Sequence, residues 1–465
     1  MTHNKKRRCC KAALSHMALA ATLQLCLPSL ADIAHPDHHS SSPSEQEAIM
    51  SSTSNATSDA GLKVAEMVKS GQGQTTAIDR GSGIHESRGI GNSYLITTAA
   101  GNVLVNAGTL ADARRGRELF RQVSGQPIRH IILTQSHANQ YGGLEIYKTE
   151  DNEVIAHRIY LQDRQYSEAL GEHYRRGSRR IFGGITGSVE DMIPTREITP
   201  DILIDDDYAF ELGERRFEIL WTPGGETRSA VVVWLPEDRI AIVGNLFGPL
   251  FGNHPNLNTL RGDKPRSALE FIASVKKVRD LKPVQILTGH EDIRGEEHIQ
   301  RELTRIIDSV QWVHDRTIEG MNAGIDLRTL MRDIKPPEAL ALTEEYGKVA
   351  WNVRAIWHEY TGWYDPSRGI TELYDVPAAS VAPILLELSG EDALVGKARE
   401  LTQGNQPLQA LHLLDIVLAA NPASAPGREA RREALQRLLE QTGGTNLWER
   451  RSIAAELREL ENAPE

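Results

Sequence analysis

The chain has 465 residues, of which 40% are hydrophobic and 25% are charged, and its formal net charge is −11 at pH 7. This length allows two or three domains, and the composition is that of an ordinary soluble globular protein. The acidic balance argues against a nucleic-acid-binding surface. All three cysteines lie at Cys9, Cys10 and Cys26, so the rest of the chain has no disulfides, cysteine nucleophiles or thiolate metal ligands.

The amino terminus, residues 1–31, is predicted to be a secretory signal peptide. A basic run, Lys5–Arg8, precedes an apolar stretch from Ala12 to Leu30, and the segment 29–31 supplies the small residues of a cleavage site. A membrane anchor is the alternative, but three residues interrupt the ~20 apolar residues that a spanning helix needs: His16, Gln24 and Pro28. We therefore expect a periplasmic or secreted protein with no integral membrane span after cleavage.

The next part of the chain predicts a linker and then alternating strands and helices. Residues 32–74 are rich in Ser, Asn, Thr and Ala, which is typical of a flexible linker. Strands are expected from Thr75 onward. The predicted elements are a hairpin (93–97 and 102–106), a helix (110–123) and two buried strands (129–134 and 153–157). This rhythm indicates α/β layering.

The second half of the chain changes from strands to helices. The segment 168–181 is either a helix or a loop. Strands are predicted over 202–204, 208–212, 217–222, 229–235, 239–244 and 285–288, with a helix over 269–281. After His290 the strand signals largely stop, and helices are predicted over 298–320, 346–360, 378–388, 391–402, 407–420, 427–442 and 447–460. We place a domain boundary near residue 297, between a domain over 75–297 and a helical domain over 298–465.

A polar cluster follows the predicted strand at 129–134. It runs from Thr134 to Gln140 and is followed by the glycine pair Gly142-Gly143. A strand that ends in polar side chains before a glycine turn is the way α/β folds present groups to a cleft. The cluster is therefore the first candidate for the functional site.

The spacing of this cluster resembles the H-x-H-x-D-H signature of the metallo-β-lactamase superfamily. The four ligand positions of that signature are occupied here by Gln135, His137, Asn139 and Gln140. Four further segments match strand ends of the superfamily in the right order: 105–108 with Asn106, 222–227 with Glu226, 242–245 with Asn245 and 287–290 with His290. The resemblance implies a four-layered αβ/βα sandwich of the α/β class.

Three segments resemble the alkyl sulfatases of this superfamily more narrowly. Glu226 stands in the T-P-G turn where those enzymes carry a glutamate, and residues 255–262 with Arg266 look like their N-L-x-T-L-R-G segment. The segments 351–357 and 362–365 look like the start of their all-α dimerisation domain. The resemblance implies a homodimer that hydrolyses sulfate esters with metal-activated water.

In that family two zinc ions share a bridging hydroxide. The resemblance implies a first site of Gln135, His137, Glu226 and Asn245 and a second site of Asn139, Gln140, Asn245 and His290. Zinc prefers imidazole nitrogens and carboxylate oxygens, and Glu226 is the one anionic ligand left. Three outcomes stay open: an ordinary zinc pair, one weakly held ion, or no tightly bound metal. Desolvated amides could instead bind an anion directly.

The predicted function follows from this resemblance. We expect a periplasmic hydrolase of the alkyl sulfatase type with an amide-rich metal site, acting on a small anionic or polar substrate such as an alkyl sulfate. Candidate catalytic residues are Asn139, Tyr141 and Arg261, and Arg261 and Arg266 could clamp a sulfate or form structural salt bridges. The alternative is an inactive relative that binds a polar ligand or a partner protein through the same cleft.

Overall fold

The structure is a computed structural model that describes residues 71–182, 197–260 and 262–462. The predicted signal peptide, almost all of the predicted linker and Arg261 lie outside these residues. Within them, none of the helices combines the length and the apolarity that crossing a membrane requires.

Seven strands form the first sheet and lie in it in sequence order. They are β1 (Ile78–Gly81), β2 (Ile84–Ser87), β3 (Ser93–Thr98), β4 (Gly101–Val105), β5 (Ile128–Ile132), β6 (Glu153–His157) and β7 (Ile202–Ile204). Strands β1 to β4 pair antiparallel, and β4 to β7 pair parallel. The predicted hairpin is confirmed, because Tyr94 of β3 pairs with Val105 of β4.

Six strands form the second sheet, in the order β13-β12-β11-β10-β9-β8. They are β8 (Tyr208–Leu212), β9 (Arg215–Trp221), β10 (Val231–Leu235), β11 (Ile240–Gly244), β12 (Gln285–Thr288) and β13 (Asp292–Arg294). Only β11 and β12 pair parallel, and the helix α6 (Ala268–Asp280) lies in the connection between them. The short strand β13 lies in a region where the sequence predicted none.

The two sheets pack face to face, and helices cover their outer faces. One buried cluster joins Ile96 and Ile132 of the first sheet to Ile219 and Leu287 of the second. On the outer face of the first sheet lie α1 (Leu110–Val123), α2 (Ala138–Tyr141), α3 (Leu144–Tyr147) and α4 (Ile159–Ala169). On the outer face of the second sheet lie α6 and α7 (Glu296–Asn322). The predicted four-layered αβ/βα sandwich is confirmed.

The remaining helices follow the sandwich. They are α8 (Leu327–Asp333), α9 (Val349–Thr361), α10 (Ala382–Ser389), α11 (Glu391–Gln403), α12 (Pro407–Ala420), α13 (Ala425–Gln441) and α14 (Leu447–Asn462). One further helix, α5 (Gly171–Phe182), lies earlier in the chain, between β6 and β7. Buried Val395, Ala410, Leu414 and Ala434 form the core of α11, α12 and α13. The apolar face of α7 joins the cluster on the second sheet, and the boundary near residue 297 stays a prediction.

Several predicted helix boundaries were wrong by two residues or more. The largest difference is at α10, which begins at Ala382 rather than at 378, because Ala378–Val381 form a 3-10 helix. Helix α9 begins at Val349 rather than at 346, because the backbone N–H of Tyr346 donates to Asn253 Oδ1 at 3.3 Å and is thereby held outside the helix. Helix α13 begins at Ala425, two residues before its predicted start, because a proline is tolerated in the first turn of a helix. The undecided segment 168–181 is helical: α4 ends at Ala169 and α5 begins at Gly171.

The turn after β9 packs directly against α6 at Gly224. A Cβ on Gly224 would lie well under 3.0 Å from backbone atoms of Phe271, which cannot move independently of the helix. We expect Gly224→Ala to lower the free energy of unfolding by about 3 kcal/mol in urea denaturation. Gly125→Ala is the matched control, because a Cβ there meets nothing within 4 Å. Equal stability of the two variants would contradict this packing.

Candidate active site

The polar cluster is anchored to the loop after β4 by backbone and side-chain hydrogen bonds. Asn106 Oδ1 accepts from the backbone N–H of Thr134 at 2.9 Å and from its hydroxyl at 3.0 Å. The N–H of Ala107 donates to the carbonyl of Gln140 at 2.7 Å. Gly143 is required at the end of the cluster, because a Cβ there would lie well under 3.0 Å from Ala113. The cluster is thus held at the carboxyl end of the first sheet.

The second sheet brings three more predicted residues to the same place. Glu226 follows β9, Asn245 follows β11 and His290 follows β12. Gln140 Nε2 donates to Asn245 Oδ1 at 3.1 Å, and Asn245 Nδ2 donates to Glu226 Oε2 at 2.9 Å. The structure therefore joins Gln140, Asn245 and Glu226 in one hydrogen-bonded chain.

His137 has contacts at both ring nitrogens. Its Nδ1 lies 3.1 Å from Gln135 Nε2 and 3.4 Å from Glu226 Oε2. Its Nε2 lies 3.8 Å from Asp263 Oδ2. A proton on Nδ1 would serve the contact with Glu226 and leave Nε2 as an acceptor, whereas the other tautomer accepts from Gln135 at Nδ1. The surroundings thus support either tautomer.

His290 lies within electrostatic reach of Glu226. Burial lowers the pKa of His290 to about 4, against the opposing influence of the Glu226 carboxylate. Its Nδ1 is shielded from solvent and has no hydrogen-bond partner among the described residues, and Gln140 Oε1 is in the same situation. These two buried polar atoms are therefore unsatisfied within the part of the chain that the structure describes.

Two residues that the sequence did not predict as site residues belong to this cluster. Tyr346 donates its hydroxyl proton to Glu226 Oε1 at 3.0 Å, from a segment that lies 120 residues further along the chain. Asp263 lies beside His137 and 3.4 Å from Arg266 Nη2. Arg266 Nη1 donates to the carbonyl of Asn256 at 2.6 Å and lies 3.9 Å from Glu226 Oε1. Among the described residues, the Arg266 guanidinium thus lies within 4.0 Å of both carboxylates.

An open cleft leads to this cluster. It contains about 490 Å³ of space, counting the part open to solvent, and its lining includes His137, Glu226, Asp263 and Arg266. Most of the other lining side chains are polar or aromatic: Ser136, Asp163, Tyr166, Ser167, Tyr174, Thr227, Arg228 and Lys264. Such a cleft suits a small polar or anionic ligand.

The structure separates two other candidate residues from this chain of contacts. Asn139 directs its Nδ2 towards the carbonyl of Ile90 at 3.5 Å. Tyr141 is buried, its hydroxyl accepts a hydrogen bond from Arg164, and that guanidinium lies 4.2 Å from the ring centroid. These are the contacts of a packed side chain, so a catalytic role for Tyr141 stays a prediction, as it does for Arg261.

The residues present do not fit an ordinary zinc pair. No three His, Cys, Asp or Glu side chains in the described ranges lie close enough together to hold a metal ion. The amides of Gln140 and Asn245 are engaged with each other and with Glu226, and neutral amide oxygens do not balance the four positive charges of two zinc ions. Arg266 already supplies a positive charge beside both carboxylates.

Sequence profiles of two known families match this chain. The profile of the metallo-beta-lactamase superfamily matches residues 87–290, and the profile described as alkyl sulfatase dimerisation matches residues 328–462. The chain carries a metallo-β-lactamase domain followed by an alkyl sulfatase dimerisation domain. The resemblance to the alkyl sulfatases of the metallo-β-lactamase superfamily, which was inferred from the polar cluster and the later helical segments, is confirmed.

Two curated proteins that are similar to this chain are named alkylsulfatases. The linear primary-alkylsulfatase of a Pseudomonas species is 26% identical over 329 residues, which are 64% of this chain and 60% of that protein. The alkyl/aryl-sulfatase BDS1 of Saccharomyces cerevisiae is 23% identical over 397 residues, which are 76% of this chain and 59% of that protein. The chain thus spans about 60% of the length of these curated relatives.

A solved structure shows the same fold. It is the stereoselective inverting sec-alkylsulfatase Pisa1 from a Pseudomonas species, which superposes with a TM-score of 0.73 at 21% identity. The superposition covers 84% of this chain and 66% of that protein. It therefore includes most of the sandwich and of the helices that follow it.

Proposed function

We propose that this chain is an exported hydrolase of sulfate esters, of the alkyl sulfatase type, whose site works without the ordinary zinc pair. The observation that carries the proposal is the His137–Glu226 contact of 3.4 Å at the cleft, with Arg266 beside it. The alkylsulfatase names of the relatives support the reaction class. The predicted signal peptide supports a periplasmic or secreted location.

Two residues of the cleft suit two different roles in this reaction: Arg266 binds the sulfate group, and His137 activates the water molecule. Arg266 offers a planar guanidinium to the sulfate oxygens. His137, with Nδ1–H donating to Glu226, accepts a proton from a water molecule at Nε2. The water oxygen bonds to the ester carbon, the C–O bond breaks, and its electron pair leaves with the sulfate. The products are the alcohol and sulfate, and the His137 imidazolium then releases its proton to solvent. The carboxylate of Glu226 stabilises the imidazolium that forms.

A second candidate function is binding without turnover. It is favoured by the chain of hydrogen bonds from Gln140 through Asn245 to Glu226. Through these bonds, side chains at the positions of the family's metal ligands are hydrogen-bonded to one another. The cleft would then hold a polar ligand or a partner protein through amide donors and Arg266.

One experiment separates the two functions. Mature protein from an exporting host is incubated with hexyl sulfate, with and without a chelator, and its metal content is measured. We expect sulfate release that survives chelation, less than about 0.2 metal per chain, and a loss of about 100-fold or more in His137→Ala. Release that chelator abolishes and zinc restores would overturn the metal-free site.

Binding without turnover gives a different result in the same samples. Hexyl sulfate would then raise the melting temperature without releasing sulfate, the gain would survive chelation, and Gln135→Ala would lose it. A wild-type protein that neither releases sulfate nor is stabilised by hexyl sulfate would refute both candidate functions.

We also propose that the chain forms a homodimer. The matched dimerisation domain supports this, and a group of large apolar side chains within it is exposed: Trp363, Ile370, Tyr374, Val376, Ile384 and Leu388. Exposed large apolar side chains in this number favour an interaction surface. Light scattering of the mature protein is expected to give twice the mass of the chain.

A further inference from the structure

The start of the last helix is fixed to the segment that carries Tyr346. Asn446 caps α14, because its Oδ1 accepts from the backbone N–H groups of Trp448 and Glu449, each at 3.1 Å. The Nδ2 of the same side chain donates to the carbonyl of Glu344 at 2.6 Å and to that of Tyr346 at 3.3 Å. Helix α14 and Tyr346 are therefore held together by one buried asparagine.

Two chains of contacts run from Trp448 to the charged residues of the cleft. In the first, the Tyr346 ring packs on Trp448 with centroids 5.5 Å apart, and its hydroxyl donates to Glu226 Oε1 at 3.0 Å. In the second, Trp448 Nε1 donates to Asn256 Oδ1 at 3.0 Å, in the amide orientation that satisfies both of its groups. The carbonyl of Asn256 accepts from Arg266 Nη1 at 2.6 Å.

These contacts hold two opposite charges apart. Arg266 Nη1 and Glu226 Oε1 lie 3.9 Å from each other, whereas a closed ion pair has N–O distances of about 2.8 Å. The Tyr346 hydroxyl donates a hydrogen bond to Glu226 Oε1, and Arg266 Nη1 donates one to the carbonyl of Asn256. A closed pair would turn the carboxylate away from His137 and would direct the guanidinium away from the cleft.

We propose that Trp448 and Tyr346 are positioning residues that keep Glu226 directed at His137 and Arg266 available to the sulfate group. This inference rests on the proposed function. Neither residue is among the side chains that line the cleft: Tyr346 acts through Glu226, and Trp448, which is 1% exposed, acts through Asn256 and Arg266. The dimerisation domain thereby completes the site of the metallo-β-lactamase domain.

Two conservative variants test the two chains of contacts separately. Tyr346→Phe removes only the hydroxyl and is expected to lower kcat for hexyl sulfate about tenfold, with KM within about twofold. Trp448→Phe keeps an aromatic ring, removes Nε1–H and is expected to raise KM about tenfold, because Arg266 is released towards Glu226. Trp357→Phe is the control, since Trp357 lies in the same domain and its Nε1–H has no hydrogen-bond partner among the described residues.

Calorimetric titration with hexyl sulfate distinguishes positioning from loss of folded protein. Positioning leaves the binding stoichiometry at the wild-type value, and the affinity of Trp448→Phe falls about tenfold. A purely structural role lowers the stoichiometry in both variants and leaves KM unchanged. That pattern, or wild-type kinetics in both variants, would overturn the inference.

The inference is separable from the proposed function. A wild-type protein that neither hydrolyses nor binds hexyl sulfate refutes the proposed function. The positioning contacts are then decided by a double-mutant cycle of unfolding between Tyr346→Phe and Glu226→Gln. We expect a coupling of about fivefold in the unfolding equilibrium constant, and coupling below about 1.5-fold would overturn the inference on its own.

Discussion

Restoring the lost ligands is expected to turn a site with less than about 0.2 zinc per chain into one that holds about two. The variant carries Gln135→His, Asn139→Asp, Gln140→His and Asn245→Asp. It adds two imidazoles and two carboxylates to His137, Glu226 and His290. The variant then offers three carboxylates to the four positive charges of two zinc ions, whereas wild type offers only Glu226 at these positions.

The backbone around these positions is suited to the change. Asn106 fixes Thr134 at the start of the cluster, and Gly289 leaves room for residue 245, since a Cβ on Gly289 would lie well under 3.0 Å from Asn245 Oδ1. Asparagine and aspartate have nearly the same shape, so the change at 245 alters charge far more than packing. The Nδ1 of His290 has no hydrogen-bond partner among the described residues, so a bound metal ion would displace no existing hydrogen bond there.

Metal analysis after dialysis against buffer with zinc measures the outcome. Bound zinc is expected to raise the free energy of unfolding by about 3–4 kcal/mol when free zinc is 100 to 1,000 times the dissociation constant, and a chelator should remove the gain. The control restores three ligands and keeps Asn245, which leaves both presumed sites without their shared carboxylate. If the full variant holds no more zinc than wild type, the prediction is contradicted. Features of the site other than the identity of the ligands must then prevent zinc binding.

The sequence predicted the parts of the site that lie at strand ends. Gln135, His137 and Gln140 follow one buried strand, and Glu226 and Asn245 follow two others; the structure brings these residues into contact. Such positions are predictable because the hydrophobic strand, the polar residues after it and the glycine turn are adjacent in sequence. The α/β layering follows from the same local patterns, whereas the four-layered sandwich was implied by the resemblance to the metallo-β-lactamase superfamily.

The contribution of Tyr346 had no comparable local signal. It lies 120 residues from Glu226 in sequence, just before a helix whose predicted start included it. The nearest sequence clue is Gly347, where a Cβ would lie well under 3.0 Å from the carbonyl of Pro255, so that a glycine is required by close packing of the two segments. Contacts between segments this far apart depend on tertiary packing, which periodicity does not encode.

Arg266→Met is expected to lower the free energy of unfolding by about 3–5 kcal/mol at pH 7. The guanidinium is 8% exposed and, among the described residues, lies within 4.0 Å of the carboxylates of both Glu226 and Asp263. Removing it takes one positive charge away from two buried or half-buried carboxylates that lie on either side of His137, and it also removes the donor to the carbonyl of Asn256. Urea denaturation gives the difference, with Arg228→Met as the control, because Arg228 is 54% exposed and its ion pair with Glu270 spans 3.9 Å.

The origin of this loss can be separated from a simple packing defect. If uncompensated charge is the cause, adding Glu226→Gln and Asp263→Asn to Arg266→Met should recover most of the lost free energy, because replacing a whole buried ion cluster costs far less than removing one partner. If the lost volume or the lost hydrogen bond to Asn256 is the cause, the triple variant stays as unstable as Arg266→Met. Recovery would show that Arg266 takes over the charge balance that metal ions provide in the alkyl sulfatases. The prediction is contradicted if Arg266→Met loses less than about 1 kcal/mol, because that would mean the two carboxylates do not need this cation.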